Sequence, residues 1–333
     1  MTTDFSLDIK NYLNINNLYS KVGLDKNFKV KFLAQGEYNI NYILYDKTLK
    51  LVFRINTDSQ LRLDNQIEYE FNALKLLEGS NVTPKPIYVD GSRKNFPLGI
   101  LIMEFLKGKP LNYSTDLIKA SNIFSKIHTL KVPKNHGLII ENNILQDRIK
   151  EGNWLLESFF KSDIPDIKIK KFFEKYINWC EDNLHLEKYF IENPILSINN
   201  TEVNSHNFII GDENYLIDWE KPVLSHPCQD LTQFLADTTT LWRSNYIISD
   251  INKDDFLKEY CNKSGFKYKN IKESINIYNP YLYLRALSWC AMAFVKYQSE
   301  DKLIKNEEIF LKIKSYLDID FISKLLKPYF SVD

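Results

Sequence analysis

Three oxygen-bearing side chains, Glu202, Asn207 and Asp218, stand in the run from Asn200 to Glu220, N-T-E-V-N-S-H-N-F-I-I-G-D-E-N-Y-L-I-D-W-E. A magnesium ion takes hard oxygen donors, commonly one or two protein carboxylates or amides, and fills its shell with phosphate oxygens and water. Asn207 and Asp218 meet that demand. Phosphoryl transfer also uses an acid that orients the attacking hydroxyl and accepts its proton, and Glu202, five positions before Asn207, has that place. The same residues suit a polar turn, in which Asn and Asp cap backbone groups. The apolar stretches Phe208-Ile209-Ile210 and Tyr215-Leu216-Ile217 favour strands that would hold the three on a rigid scaffold.

The elements that must position these residues come from the rest of the 333-residue chain, which is long enough for two lobes with separate cores. Phe28, Val30 and Phe32 alternate with Lys29 and Lys31, the period of a half-buried strand whose lysines suit a sheet edge. Residues 41–45 and 49–55 read as two more strands, and Ile67, Phe71, Leu74 and Leu77 give residues 66–77 a helical spacing. Residues 87–89 and the apolar run 98–103 complete a five-stranded antiparallel sheet with one helix on it. Beyond Gly108 the pattern is helical, over 117–130, 144–160, 167–183, 230–238, 254–263, 271–297 and 307–316, with strands only around 195–218. The expected class is α+β: a sheet lobe, residues 1–106, and a larger helical lobe, residues 107–333.

Composition narrows the function. Lys plus Arg number 43 and Asp plus Glu 43, so no global field draws nucleic acid or an anionic membrane surface. Met1 to Ser6 hold no basic segment leading into an apolar core, and no run approaches the roughly 18 apolar residues of a membrane span, so the cytosol is the expected compartment. Cys180, Cys228, Cys261 and Cys290 form no C-x-x-C pair, and the five histidines form no H-x-x-x-H pair. Neither pattern calls for zinc or redox chemistry.

Further motifs stand in a fixed order along the chain: Gln35-Gly36-Glu37-Tyr38-Asn39, Arg54 in Leu51-Val52-Phe53-Arg54-Ile55, Glu70, Ile102-Met103-Glu104-Phe105-Leu106-Lys107-Gly108, Ile127-His128, Asp218-Trp219-Glu220 and Asp230-Leu231. Together they resemble the aminoglycoside phosphotransferase and choline kinase superfamily, the small-molecule branch of the protein-kinase-like bilobal fold, over residues 28–240. The resemblance implies ATP and Mg²⁺ as cofactors and a small hydroxylated molecule as phosphoryl acceptor, with no nucleic-acid or membrane partner. It places Gly36 and Asn39 in a phosphate-covering turn, Arg54 on the α- and β-phosphates with Glu70 as its ion-pair partner, and Met103, Glu104 and Phe105 at the adenine edge. Asn207 and Asp218 become the metal ligands and Glu202 the base.

Other residues carry several readings. His128 is read as structural, and Asp230, which the resemblance makes the anchor of the catalytic segment, is equally suited to cap the helix that follows, and both readings can hold at once. Glu220, beside the metal motif, and Trp242, which follows the polar run Thr238-Thr239-Thr240, are expected near the substrate. The family's segment begins His-x-Asp, whereas this chain has Asn200 and Glu202, which lengthens the base by one methylene. A misplacement of about 1 Å can cost on the order of 10²-fold in rate. A nucleotide-binding pseudokinase or scaffold with an altered catalytic segment is therefore the alternative to an active kinase.

Overall fold

The computed structural model describes residues 4–36, 38–59, 61, 63–298 and 307–330. Glu37 of the expected phosphate turn lies outside the described residues. The elements run α1 (Ser6–Asn14), α2 (Leu18–Lys21), β1 (Lys29–Gln35), β2 (Asn39–Tyr45), β3 (Lys50–Asn56), α3 (Gln66–Leu77), β4 (Pro86–Asp90) and β5 (Gly99–Glu104). After them come α4 (Leu117–His128), β6 (Ile139–Ile140), α5 (Ile144–Lys161), α6 (Ile167–Asp182), α7 (Lys188–Glu192) and β7 (Ser197–Asn199). The chain continues through β8 (Phe208–Ile210), β9 (Asn214–Leu216), β10 (Val223–Ser225), α8 (Cys228–Leu235) and α9 (Asp237–Arg243). It closes with α10 (Asp250–Ser264), α11 (Tyr268–Gln298), α12 (Glu307–Tyr316) and α13 (Ile319–Leu326).

The described residues divide into two compact units. One draws on 1–111, 129–139 and 206–223, the other on 112–128, 140–205 and 224–333. In the first, five strands form an antiparallel sheet in the order β1, β2, β3, β5, β4. Its core joins Tyr42, Leu44, Phe53, Ile55, Ile100 and Ile102 to Ile9, Tyr12 and Leu13 of α1. Helix α3 turns Ile67, Glu70, Ala73, Leu74 and Leu77 inward, the three-to-four spacing of a packed face.

β1 is the sheet edge, as its lysines imply, but its alternation stops early: Phe28 is buried while Phe32 is 48% exposed. The register slips between Phe32 and Ala34, and such a bulge turns an edge strand away from a regular face. The residues expected as one helix, 230–238, form two, because Ala236 adopts an extended ψ of 138° between α8 and α9.

In the second unit α11 carries Tyr281, Leu284, Leu287 and Ala291 into the core beside Leu156, Phe159, Phe173 and Tyr176. A Cβ on Gly152 of α5 would lie 3.1 Å from Leu284 of α11, so the glycine lets the two helices approach closely. No helix among the described residues is long and apolar enough to cross a membrane.

Candidate active site

In the first unit, Arg54 on β3 reaches two carboxylates through one nitrogen. Its Nη1 donates to Oε1 of Glu70 on α3 and, at 3.1 Å, to Oδ1 of Asp218. Its Nε donates to Asn41 Oδ1 on the neighbouring strand at 3.0 Å. Arg54 and Glu70 are 5% and 1% exposed. Burial works against the Arg54 charge, but Glu70 and then Asp218 outweigh it, and the guanidinium is held protonated, its pKa raised. For Glu70, burial is the largest influence and pushes the carboxyl up to about 7 against the pull of Arg54, with Asp218 adding to the rise.

The hairpin β8–β9 brings Asn207 and Asp218 to one end. Phe208 pairs with Leu216, and the Ile217 N–H donates to the Asn207 carbonyl at 2.7 Å, which extends the ladder by one step. Asn207 therefore faces Ile217, and Asp218 is the next residue along. Asp218 has φ 67°, a left-handed conformation in which Asp is enriched among non-glycine residues. Trp219 behind it is fully buried and donates from Nε1 to the Leu216 carbonyl at 3.0 Å. The hairpin is fastened by Leu216 N–H to the Val82 carbonyl at 2.8 Å and by paired hydrogen bonds between Lys109 and Ile210. Gly108 is required there, because a Cβ would fall 2.7 Å from the Ile210 carbonyl oxygen.

The turn between β1 and β2 is closed by the Gly36 N–H donating to the Asn39 carbonyl at 2.8 Å. That N–H is engaged in the turn itself. The Asn39 side chain accepts from Asn56 Nδ2 at 3.1 Å and donates to the Glu220 carboxylate, while Gln66 donates to the Glu220 carbonyl. Glu220, expected near a substrate, thus ties the segment after Asp218 to β2 and α3. At the end of β5, Met103 is buried, the Glu104 N–H donates to the Lys85 carbonyl at 2.9 Å, and Lys50 lies over the Phe105 ring.

In the second unit, the segment after β7 is pinned by Asp230. Its two carboxylate oxygens accept from the N–H groups of Asn200 at 2.7 Å and Thr201 at 2.8 Å. Asp230 is the third residue of α8, whose N-cap is Pro227, so the anchoring reading holds and the helix-cap reading falls. Thr201 has φ 66°, a strained value for a β-branched residue that persists only where the surroundings over-determine it. Asn200 is fully buried, and its Oδ1 accepts from the Glu202 N–H at 3.0 Å. His128 stands buried between Tyr260, 3.0 Å from Nδ1, and Asp230. The Glu202 side chain is 31% exposed, and its Oε1 lies 3.8 Å from Arg285 Nη2.

Trp242 packs edge-on against Trp289 and Tyr316 in the aromatic part of the helical core. The sequence reading missed Asn41 and Asn56, which brace Arg54 and Asn39, and Arg285 with its partners. Arg285 had a visible signal, since it is the lone charge in the run Tyr281-Leu282-Tyr283-Leu284-Arg285-Ala286-Leu287.

Asn207 and Asp218 each carry a side-chain oxygen donor at the same end of the hairpin, and the Asp218 side chain is 30% exposed. That set suits a small hard cation that keeps water and phosphate in its shell.

No curated protein matches the chain. A Ralstonia eutropha protein described as an aminoglycoside phosphotransferase superposes with a TM-score of 0.69 at 14% identity, covering 95% of this chain and 97% of its own. Plasmodium vivax ethanolamine kinase superposes with a TM-score of 0.63 at 16% identity, covering 90% and 84%. A spectinomycin phosphotransferase in complex with ADP and spectinomycin gives 0.59 at 14% identity, covering 93% and 95%. At these identities the likenesses show the fold: an antiparallel N-terminal sheet followed by a mainly helical C-terminal part. The model of the phosphotransferase enzyme family matches residues 29–268, well over half of the sequence, and the chain belongs to that family.

Proposed function

We propose that the protein is an ATP-dependent phosphotransferase that moves the γ-phosphoryl group of Mg·ATP to a hydroxyl of a small molecule in the cytosol. The observation that carries this reading is the meeting of Glu70 and Asp218 at one nitrogen of Arg54, beside a hairpin that sets Asn207 next to Asp218. Residues 1–106 supply most of the nucleotide contacts in this reading, and residues 107–333 the catalytic segment and the acceptor site.

Arg54, oriented by Glu70 and Asn41, neutralises the α- and β-phosphates. The Gly36–Asn39 turn covers the phosphates, and the backbone of Met103 to Phe105 meets the adenine edge. Magnesium bound through Asn207 and Asp218 would supply the charge neutralisation that phosphoryl transfer depends on. Glu202 orients the acceptor hydroxyl and takes its proton. The acceptor oxygen bonds to the γ-phosphorus, the bond from that phosphorus to its bridging oxygen breaks, and the electron pair leaves with ADP.

The hydrogen bonds that Asn200 and Asp230 make to the strained segment support an organised base, although its sequence departs from the family's. Release of ADP from Mg·ATP is the assay, run against a panel of hydroxylated amines and aminoglycosides. Acceptor-dependent release that Glu202→Gln lowers by about 10² or more supports the reading. Nucleotide binding without transfer to any acceptor would leave the pseudokinase, motivated by Asn200 and Glu202, in its place. Glu202→Asp separates the two histories: a gain in transfer marks an eroded kinase, a loss marks a site built around Glu.

A further inference from the structure

We propose that Arg285 is the positioning residue for Glu202, as the last cation of a ladder of alternating charges that runs Glu141, Arg148, Glu151, Arg285, Glu202. This rests on the reading of Glu202 as the base given above. Arg148 donates from Nη2 to Glu141 Oε1 and from Nη1 to Glu151 Oε2, each at 2.7 Å. Arg285 donates from Nε to Glu151 Oε1 at 3.1 Å, and its Nη2 stands 3.8 Å from Glu202 Oε1. Gln229 closes the far end with a 2.7 Å hydrogen bond to Glu141 Oε2.

The ladder exists because of packing. The close approach of α5 to α11 at Gly152 and Leu284 sets Glu151 and Arg285, the adjacent residues on the two helices, side by side. Arg285 emerges between the buried Leu284 and Leu287, and its side chain is 15% exposed. A guanidinium so placed is costly unless carboxylates compensate it. Glu151, bonded at Nε, orients the planar fork and leaves Nη2 beside Glu202.

Glu has one more rotatable bond than the Asp of the family's segment, so its carboxylate needs an additional constraint. Asn200 fixes the main chain of Glu202 from one side and Arg285 fixes its carboxylate from the other. Arg285 also lies beyond residue 268, where the family match ends, so the constraint belongs to this chain's own helix α11.

The test is a carbon-13 titration of glutamate carboxyls in the intact, magnesium-free protein, with the Glu202 signal identified by its loss in Glu202→Gln. In Arg285→Met, Glu202 becomes a roughly tenfold weaker acid, because an opposite charge within about 4 Å is removed, and Arg285→Lys restores most of the difference. An unchanged Glu202 titration in folded Arg285→Met overturns the proposal. Should Arg285→Met fail to fold, Arg285→Lys carries the decision through ADP release from Mg·ATP with water as acceptor. Its kcat falls about tenfold with KM for ATP unchanged, and the loss disappears in a Glu202→Gln background. An equal loss in that background overturns the proposal. Absence of ADP release from the wild type with water and with every acceptor of the panel overturns the kinase reading instead and leaves the titration to decide the role of Arg285.

Discussion

Arg54 and its two carboxylates set the energetics of the first unit's polar centre. A buried guanidinium is stabilised only by charges beside it, and Glu70 in turn is buried enough for its carboxyl to rise to about 7. The sign of the linkage follows: a carboxyl raised from its ordinary 4.5 favours folding fully below 4.5 and loses that contribution as pH rises through about 7. Glu70→Gln should therefore flatten the fall in stability between pH 5 and 8. Urea denaturation in magnesium-free buffer measures it, with a wild-type decline on the order of 3 kcal/mol at most relative to the variant. Arg54→Met is expected to remain folded, since Glu70 neutralises on losing its partner, and to weaken ATP binding by about tenfold or more, read by fluorescence titration. Unchanged ATP affinity would remove Arg54 from the phosphates.

At the scale of elements, two glycines decide how the site-bearing pieces meet. Gly108→Ala should drive a methyl group into the Ile210 carbonyl, break the pairing of Lys109 with Ile210 and destabilise the protein by about 1–3 kcal/mol in thermal melts. Gly152→Val should separate α5 from α11 at Leu284 and cost a similar amount. It should also displace Arg285, so ADP release falls in protein that is still folded; full activity at reduced stability would show that the helix contact does not serve the ladder. The elements themselves were legible where the pattern was strong. α3 and α12 stand where the spacing places them, and β3 and β5 run as apolar strands. The break between α8 and α9 was not legible, because no Gly or Pro marks Ala236. α1 was missed although Ile9, Tyr12 and Leu13 have the helical spacing, since polar residues surround them.

For the whole molecule, equal numbers of acidic and basic residues mean that attraction for a polyanion such as ATP must come from local groups, not from a global field. How much of the candidate site could be read from sequence follows the same division between local and distant. The closeness of Asn207 and Asp218 was legible because one short hairpin carries both. Arg54 and Glu70, separated by 16 positions, were legible through the order of motifs. Arg285 and Glu151, 134 positions apart, share no motif, and only the packing of α5 on α11 joins them.

The most direct measurement is calorimetric titration of the purified protein with ATP, with and without Mg²⁺, alongside Asp218→Ala. The account predicts saturable, magnesium-dependent binding that the variant loses. No binding by the wild-type protein at millimolar ATP, or binding that Asp218→Ala leaves intact, would contradict it.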